Sequence, residues 1–450
     1  MKIIQFVADA LGDASYVVVE GNVAAVVDPQ RDVTPYVAAA REHGAEIRYV
    51  FETHVHNDYI SGGRELAERG ARVVAPAGAN LEFPHLPVAD GDEVELGGAR
   101  IRAIAAPGHT YEHTVYLAID AEGAVQGAFT GGAILMAAAG RSDLLGPDHT
   151  EELTRLQWET GQRLAALLPP AAEVLPTHGA GSFCSSSGTC GDRRAPLDVE
   201  LGRNPLFLSA GFDAFRSAHL GTAAPIPGYY RHMAPINRAG PRVYGEPPRP
   251  PAVTLAEIGR LRESAAFVLD VRTRADHAAG HLHGATGIEE GGSMLAYVGW
   301  LVPFNAPLGI VSYDVQQAER ATTDLFRIGY EDVRGFITAG SPGVAKASTD
   351  VIRTVDVVQA AELLKAERPP LFDLRFRYEQ LRDPLPGATE RPIDQFNDWA
   401  HEVEDGTLLV CGSGQRATMA ASLLQARGRT VVVLREVGAI ELRAILAASA

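Results

Sequence analysis

Cysteine is scarce: Cys184, Cys190 and Cys411 are the whole supply in 450 residues. Three thiols cannot build a secreted disulfide framework, so a reducing, cytoplasmic location is expected. Positive charge is also short. The formal net charge of −16 and the lack of any Lys/Arg run argue against nucleic acid and anionic membrane as partners. Long hydrophobic runs are missing as well. The longest candidate, residues 294–313, is broken by Pro303, Asn305 and Pro307, so no membrane span is expected. The opening Met1-Lys2-Ile3-Ile4-Gln5-Phe6 reads as a strand rather than a signal peptide. What is present is 46% hydrophobic and 21% charged residues, the balance of a folded globular chain. The length calls for about two to four domains.

The most informative stretch is Thr53-His54-Val55-His56-Asn57-Asp58-Tyr59. Residues 47–51 before it read as a buried strand and residues 60–69 after it as a helix, which makes it a strand-to-helix loop. Two histidines one residue apart can reach a single metal ion from such a loop. Ala106-Pro107-Gly108-His109-Thr110 supplies a third histidine after the strand-like run 99–105. Leu175-Pro176-Thr177-His178-Gly179 supplies a fourth after Glu173-Val174-Leu175. Each histidine ends an apolar run, as when strand ends converge on one edge of a sheet sandwich. Elsewhere in this half, strands 16–19 and 24–27 flank the turn Gly21-Asn22. A helix opens at Thr34-Pro35, with Thr34 as N-cap, and closes at Gly44; residues 151–168 form another helix.

This half resembles the metallo-β-lactamase superfamily, whose pattern is His-x-His-x-Asp-His, then Gly-His-Thr, then a bridging Asp, then a last His. Two positions depart from it. Tyr59 stands in place of a histidine, and Gly132, after Phe129-Thr130-Gly131, in place of the bridging aspartate. A dinuclear site would lack two ligands. His54, His56 and His109 remain as a three-histidine set, and three protein ligands with an open position make an ordinary catalytic metal site. Asp58 and His178 are further candidates as ligands or support. The small-residue loop 179–188, which holds Cys184, reads as a surface loop or as a lip near the metal.

Pro247-Pro248-Arg249-Pro250-Pro251 is a stiff linker. Two similar units follow. The first has Phe267-Val268-Leu269-Asp270-Val271-Arg272 and Gly280-His281-Leu282-His283-Gly284-Ala285; the second has Leu371-Phe372-Asp373-Leu374-Arg375 and Leu385-Pro386-Gly387-Ala388. Each continues as strand, loop, helix and strand, which implies parallel sheets. In the second unit the loop is Cys411-Gly412-Ser413-Gly414-Gln415-Arg416. Its glycines let backbone N–H groups turn toward the sulfur, and the helix N-terminus and Arg416 favour a thiolate that can carry sulfane sulfur. In the first unit Asp314 occupies the cysteine's place, and no glycine shapes the loop. The spacing resembles the rhodanese fold twice over.

The whole arrangement resembles the persulfide dioxygenase–rhodanese fusions. Gly140-Arg141-Ser142-Asp143, His178-Gly179-Ala180-Gly181-Ser182 and Met233-Ala234-Pro235-Ile236-Asn237 add to that resemblance. It implies an α/β protein: an αββα sandwich over residues 1–245, a rhodanese-like domain without its cysteine over 252–345, and a second, carrying Cys411, over 354–450. It also implies one Fe(II) per chain on His54 and His109. The third ligand falls on Gly132, for which His56 substitutes, and restoring aspartate there is expected to raise iron occupancy. The implied reaction is oxidation of a glutathione or coenzyme A persulfide to sulfite with O₂, coupled to sulfur exchange with thiosulfate at Cys411. A homo-oligomer is the expected assembly. The alternative is a sulfurtransferase alone, its first domain holding zinc or no metal; a metal-dependent hydrolase is the weakest reading.

Overall fold

Alternation within one strand sets the architecture of the first half. In β2 (Asp13–Glu20), Tyr16 and Val18 enter one apolar cluster while Val17 and Val19 enter another. The strand is therefore buried on both faces. The computed structural model describes residues 1–185, 191–221 and 224–448, so Cys190 and part of the loop 179–188 lie outside the described residues. The chain divides into two compact units, Met1–Pro247 with Phe326–Gly329, and Pro248–Leu325 with Tyr330–Ala450.

The first unit stacks two sheets. One runs in the order β1 (Lys2–Ala8), β2, β3 (Val23–Val27), β4 (Glu46–Phe51), β5 (Arg72–Pro76), β6 (Leu86–Val88). The other contains β7 (Glu93–Leu96), β8 (Ala99–Ala105), β9 (Thr114–Ile119), β10 (Val125–Gly131), β11 (Glu173–Pro176) and β12 (Ala195–Pro196), paired in reverse order from β12 to β7. Phe51, Val74, Ile101, Tyr116, Phe129 and Leu175 fill the space between the sheets. Helices cover the outer faces. Tyr36, Ala40 and Leu66 pack on the first sheet, and Leu164, Leu206 and Phe215 on the second. This is the expected αββα sandwich.

Helix boundaries shift from expectation for local reasons. Thr34 is the first helical residue rather than the cap, and its hydroxyl donates to Glu246. The helix after the histidine loop is shorter, Gly63–Ala67, because the Ser61 N–H donates to Asn237 and the Ser61 hydroxyl accepts from Gly63 N. The long helix starts earlier, at Pro147, where a missing N–H costs nothing.

The second unit holds two further sheets. One is ordered β14 (Thr286–Gly287), β13 (Phe267–Asp270), β15 (Leu308–Ser312), β16 (Val333–Thr338), all parallel. The other is ordered β17 (Arg353–Val355), β21 (Val432–Leu434), β20 (Leu408–Val410), β18 (Leu371–Asp373), β19 (Thr389–Glu390), also parallel. Among the described residues no helix is long and apolar enough to cross a membrane.

Candidate functional site

The ends of β2, β3, β4, β8, β10 and β11 meet at one edge of the sandwich and deliver their flanking polar residues to it. Thr53 and His54 follow β4, and Asp28 follows β3. His109 and His113 lie between β8 and β9, Gly132 follows β10, Thr177 and His178 follow β11, and Asp13 opens β2. All the histidines named are buried. The connecting loop is pinned from the far end of the unit. Asn237, in the helix Tyr230–Ala239, donates to the carbonyls of His56 (3.0 Å) and Tyr59 (2.9 Å) and accepts from Ser61 N (3.0 Å).

Of the histidines expected to act together, His54 and His109 converge with His178. One ligand atom from each lies within 4.8 Å of the others. Hydrogen bonding fixes which nitrogen is free. The Thr53 hydroxyl donates to Asp28 Oδ2 at 2.7 Å, so it accepts from His54 Nδ1 at 2.8 Å. His109 Nδ1 donates to the Arg141 carbonyl at 2.7 Å, and His178 Nδ1 to Asp13 Oδ1 at 3.0 Å. All three Nδ1 atoms carry a proton, and all three Nε2 atoms face one place: those of His54 and His109 offer lone pairs, and His178 joins them by giving up its Nε2 proton. His54 Nε2 and His178 Nε2 face each other at 3.4 Å, and buried His109 Nε2 has no hydrogen-bond partner. Burial, reinforced by neighbouring imidazoles, holds His54 and His109 well below the ordinary histidine range, in the neutral form that binds metal. A metal ion between these nitrogens takes the place of the His178 Nε2 proton. The donor set therefore fits a metal ion held by His54, His109 and His178.

Asp58 lies beside this cluster, its Oδ2 3.2 Å from His178 Nδ1. Burial alone would lower His178, but Asp58 and Asp13 outweigh it and push the imidazole up to about 10. Burial and Asp58 push the Asp13 carboxyl up to about 7. The two acids thus strengthen His178 as a donor, the support that carboxylates give metal-binding imidazoles.

His56 packs against His54, ring centroids 4.2 Å apart, but turns its Nε2 to other partners. Its Nε2 is 3.1 Å from the Tyr59 hydroxyl, 3.3 Å from Asp28 Oδ1 and 3.5 Å from Glu52 Oε2. Tyr59 donates its own proton to the Asp28 carbonyl, so it accepts from His56. His56 thus presents Nε2 to Tyr59, Asp28 and Glu52, while its Nδ1 is buried without a hydrogen-bond partner.

Gly132 has its own reason to be glycine. A Cβ there would lie 2.5 Å from Cγ and Cδ2 of His109. A Cβ at Gly131, whose φ is +53°, would lie 2.4 Å from His113 Nε2. His113 Nε2 instead accepts from Gly132 N at 2.9 Å, and its ring stacks 5.1 Å from that of His54. The expectation that aspartate at 132 completes the site therefore meets a steric objection: His109 occupies the room. Sequence reading missed His113, Asp13, Asp28, Glu52 and Asn237. The available signals were the four-residue step from His109 to His113 and the polar residues that end β3 and β4.

In the second unit, Cys411 is buried at the end of β20, and Gln415 opens the helix Gln415–Ala426. Gly412, Ser413 and Gly414 lie between them, Gly414 at φ +80°, where a Cβ would sit 3.1 Å from the Leu434 carbonyl. The Arg416 guanidinium forms a two-pronged ion pair with Glu379, one contact at 3.0 Å, and its carbon lies 4.8 Å from the Phe376 ring centroid. In the first repeat only Tyr313 and Asp314 separate β15 from the helix Val315–Arg327, too short a link to curl round a sulfur atom. Asp314 Oδ1 accepts from Gln317 N at 2.8 Å, a helix-capping contact. Cys184 is buried with its sulfur 3.8 Å from the Tyr230 hydroxyl, and burial, with Asp58 and Asp13, pushes its thiol well up.

Comparison with known proteins bears on the first unit. The metallo-beta-lactamase superfamily profile matches residues 9–191. A hydroxyacylglutathione hydrolase of Acidiphilium cryptum is 38% identical over 113 residues, 24% of this chain and 46% of that protein. One of Rhodopseudomonas palustris is 32% identical over 123 residues, 27% of this chain and 48% of that protein. The chain thus spans about half the length of these curated relatives. A crystal structure of a metallo-beta-lactamase from Staphylococcus aureus aligns with TM-score 0.68 at 24% identity, covering 75% of this chain and 99% of that one. That likeness is one of fold. The N-terminal region is a metallo-beta-lactamase superfamily domain, followed by further α/β sheets.

Proposed function

We propose that the chain is a sulfane-sulfur enzyme with two centres: a mononuclear iron site on His54, His109 and His178, and a sulfur-carrying thiolate at Cys411. The observation that carries the first centre is the convergence of three Nε2 atoms whose Nδ1 protons are all committed elsewhere. An iron held by these three histidines would supply O₂ activation beside a persulfide sulfur. The chain's own residues do the rest. Asp28 and Thr53 hold His54 in one tautomer, Arg141 holds His109, and Asp13 and Asp58 orient His178. Burial of the cluster keeps bulk water away. In balance, a thiol persulfide, O₂ and water give the thiol, sulfite and two protons. Glutathione persulfide is the proposed substrate, and the similarity to hydroxyacylglutathione hydrolases supports a glutathione-linked ligand.

At Cys411 the thiolate attacks the outer sulfur of a donor. The donor's S–S bond breaks, a new S–S bond forms on Cys411, and a thiolate, or sulfite from thiosulfate, leaves. The glycine-shaped loop and Arg416 support this rhodanese-like reading, with residues 252–345 as its inactive repeat and 354–450 as the working one.

A second reading, hydrolysis of a hydroxyacylglutathione thioester, is favoured by the relatives' names. It needs a metal-activated hydroxide, and two of its usual ligand positions are Tyr59 and Gly132. Iron-loaded and zinc-loaded protein, each given glutathione persulfide and then the thioester, separate the two. O₂ uptake with sulfite release only in the iron form supports persulfide oxidation. Thioester cleavage by the zinc form without O₂ uptake by the iron form overturns it.

A further inference from the structure

The loop that presents His54 has a second buried face, and the proposed chemistry leaves it unused. Asp28, Glu52 and His56 converge there, exposed by 0%, 7% and 1% respectively. One ligand atom from each lies within 4.8 Å of the others. The spacing is informative. His56 Nε2 is 3.3 Å from Asp28 Oδ1 and 3.5 Å from Glu52 Oε2. Hydrogen bonds between such groups settle at about 2.7–2.9 Å, and Glu52 Oε2 makes none at all. The separations instead match the edge of a tetrahedron around a metal, about 3.4 Å for bonds of about 2.1 Å. The other Glu52 oxygen accepts from Ser61 Oγ at 2.5 Å, which aims Oε2 at the cluster. A cavity of about 20 Å³ adjoins, lined by Glu52, His56, Ser61, Arg64 and apolar Ala75 and Leu81. One water needs about 10–15 Å³, so an ion's water ligand fits there.

We propose that Asp28, Glu52 and His56 form a second cation site, for one divalent ion of the zinc class, separate from the cluster of His54, His109 and His178. One imidazole and two carboxylates suit such an ion. The two sites share no residue. A third grouping, His56 with Asp58 and His178, borrows one ligand from each, so it cannot fill beside either. Among the described residues, two ions therefore fit these groupings in only one way. The second ion also bears on the first site, because Asp28 Oδ2 holds the Thr53 hydroxyl that holds His54. A cation bound here displaces the Nε2 proton of His56 that Tyr59, 3.1 Å away, otherwise accepts.

The test is a count of Zn²⁺ bound by the full chain after chelation and reloading, for wild type, Glu52→Gln and His109→Ala. The proposal expects two ions in wild type and one in each variant. One ion in wild type, kept by Glu52→Gln and lost by His109→Ala, overturns the proposal and leaves the histidine cluster standing. One ion lost by Glu52→Gln and kept by His109→Ala supports the acidic site and removes the histidine one. One ion kept by both variants, as the third grouping would give, also overturns the proposal. Should Glu52→Gln not fold, His109→Ala decides alone: one ion kept from a wild-type count of two supports the site, and none overturns it.

Discussion

A Cβ at residue 132 would fall within 2.5 Å of ring carbons of His109. Gly132→Asp is therefore expected to lower stability by about 1–3 kcal/mol, as overpacking does, and to reduce metal content rather than raise it. Urea unfolding with metal determination checks both. His219 gives a prediction about pH. Burial holds it at about 4, against an ordinary histidine value near 6.5, outweighing the Asp143 carboxylate, and its Nε2 lies 3.1 Å from the neutral Ser142 hydroxyl. The unfolded chain takes up this proton first, so stability is lost as pH falls from about 6.5 toward about 4 and is unchanged above that window. His219→Gln should flatten the fall by up to about 3 kcal/mol, and identical profiles for both proteins would refute the assignment. At this scale His54 and His109 were legible in sequence because each ends an apolar run. His178 was read as a possible ligand or support, beside the expected set of His54, His56 and His109. Which nitrogen of a histidine is free depends on partners such as Arg141 and Asp13, which lie 32 and 165 residues away.

Loop length separates the two repeats of the second unit. Between β20 and its helix the loop Cys411–Gly414 has room to curl, and Gly414 takes φ +80° to do so. Gly414→Ala should cost about 1–2 kcal/mol of stability from that backbone conformation and also slow sulfur transfer. A variant with full transfer activity would show that the loop geometry is not needed. The strands around Cys411 were legible because their apolar runs are continuous, as in buried parallel sheet. The two-residue strands β12, β14 and β19 were not, since pairing alone defines them. The short helix Gly63–Ala67 was overestimated because its start is set by Asn237, a tertiary partner invisible to local pattern.

The αββα sandwich and the parallel sheets beyond it followed from the order of strand and helix signals along the chain. The proposed chemistry rests on two centres, and their independence makes a prediction. Cys411→Ser should abolish thiosulfate-to-thiol sulfur transfer while leaving the metal content and persulfide-dependent O₂ uptake unchanged. Loss of both activities would mean that the two centres work in series. The account stands or falls on the nitrogen set that holds the metal, and the most direct measurement is iron content in wild type beside His178→Ala, both anaerobically loaded and desalted. The account predicts about one iron per chain in wild type and its loss in His178→Ala. Iron retained in full by His178→Ala would contradict it.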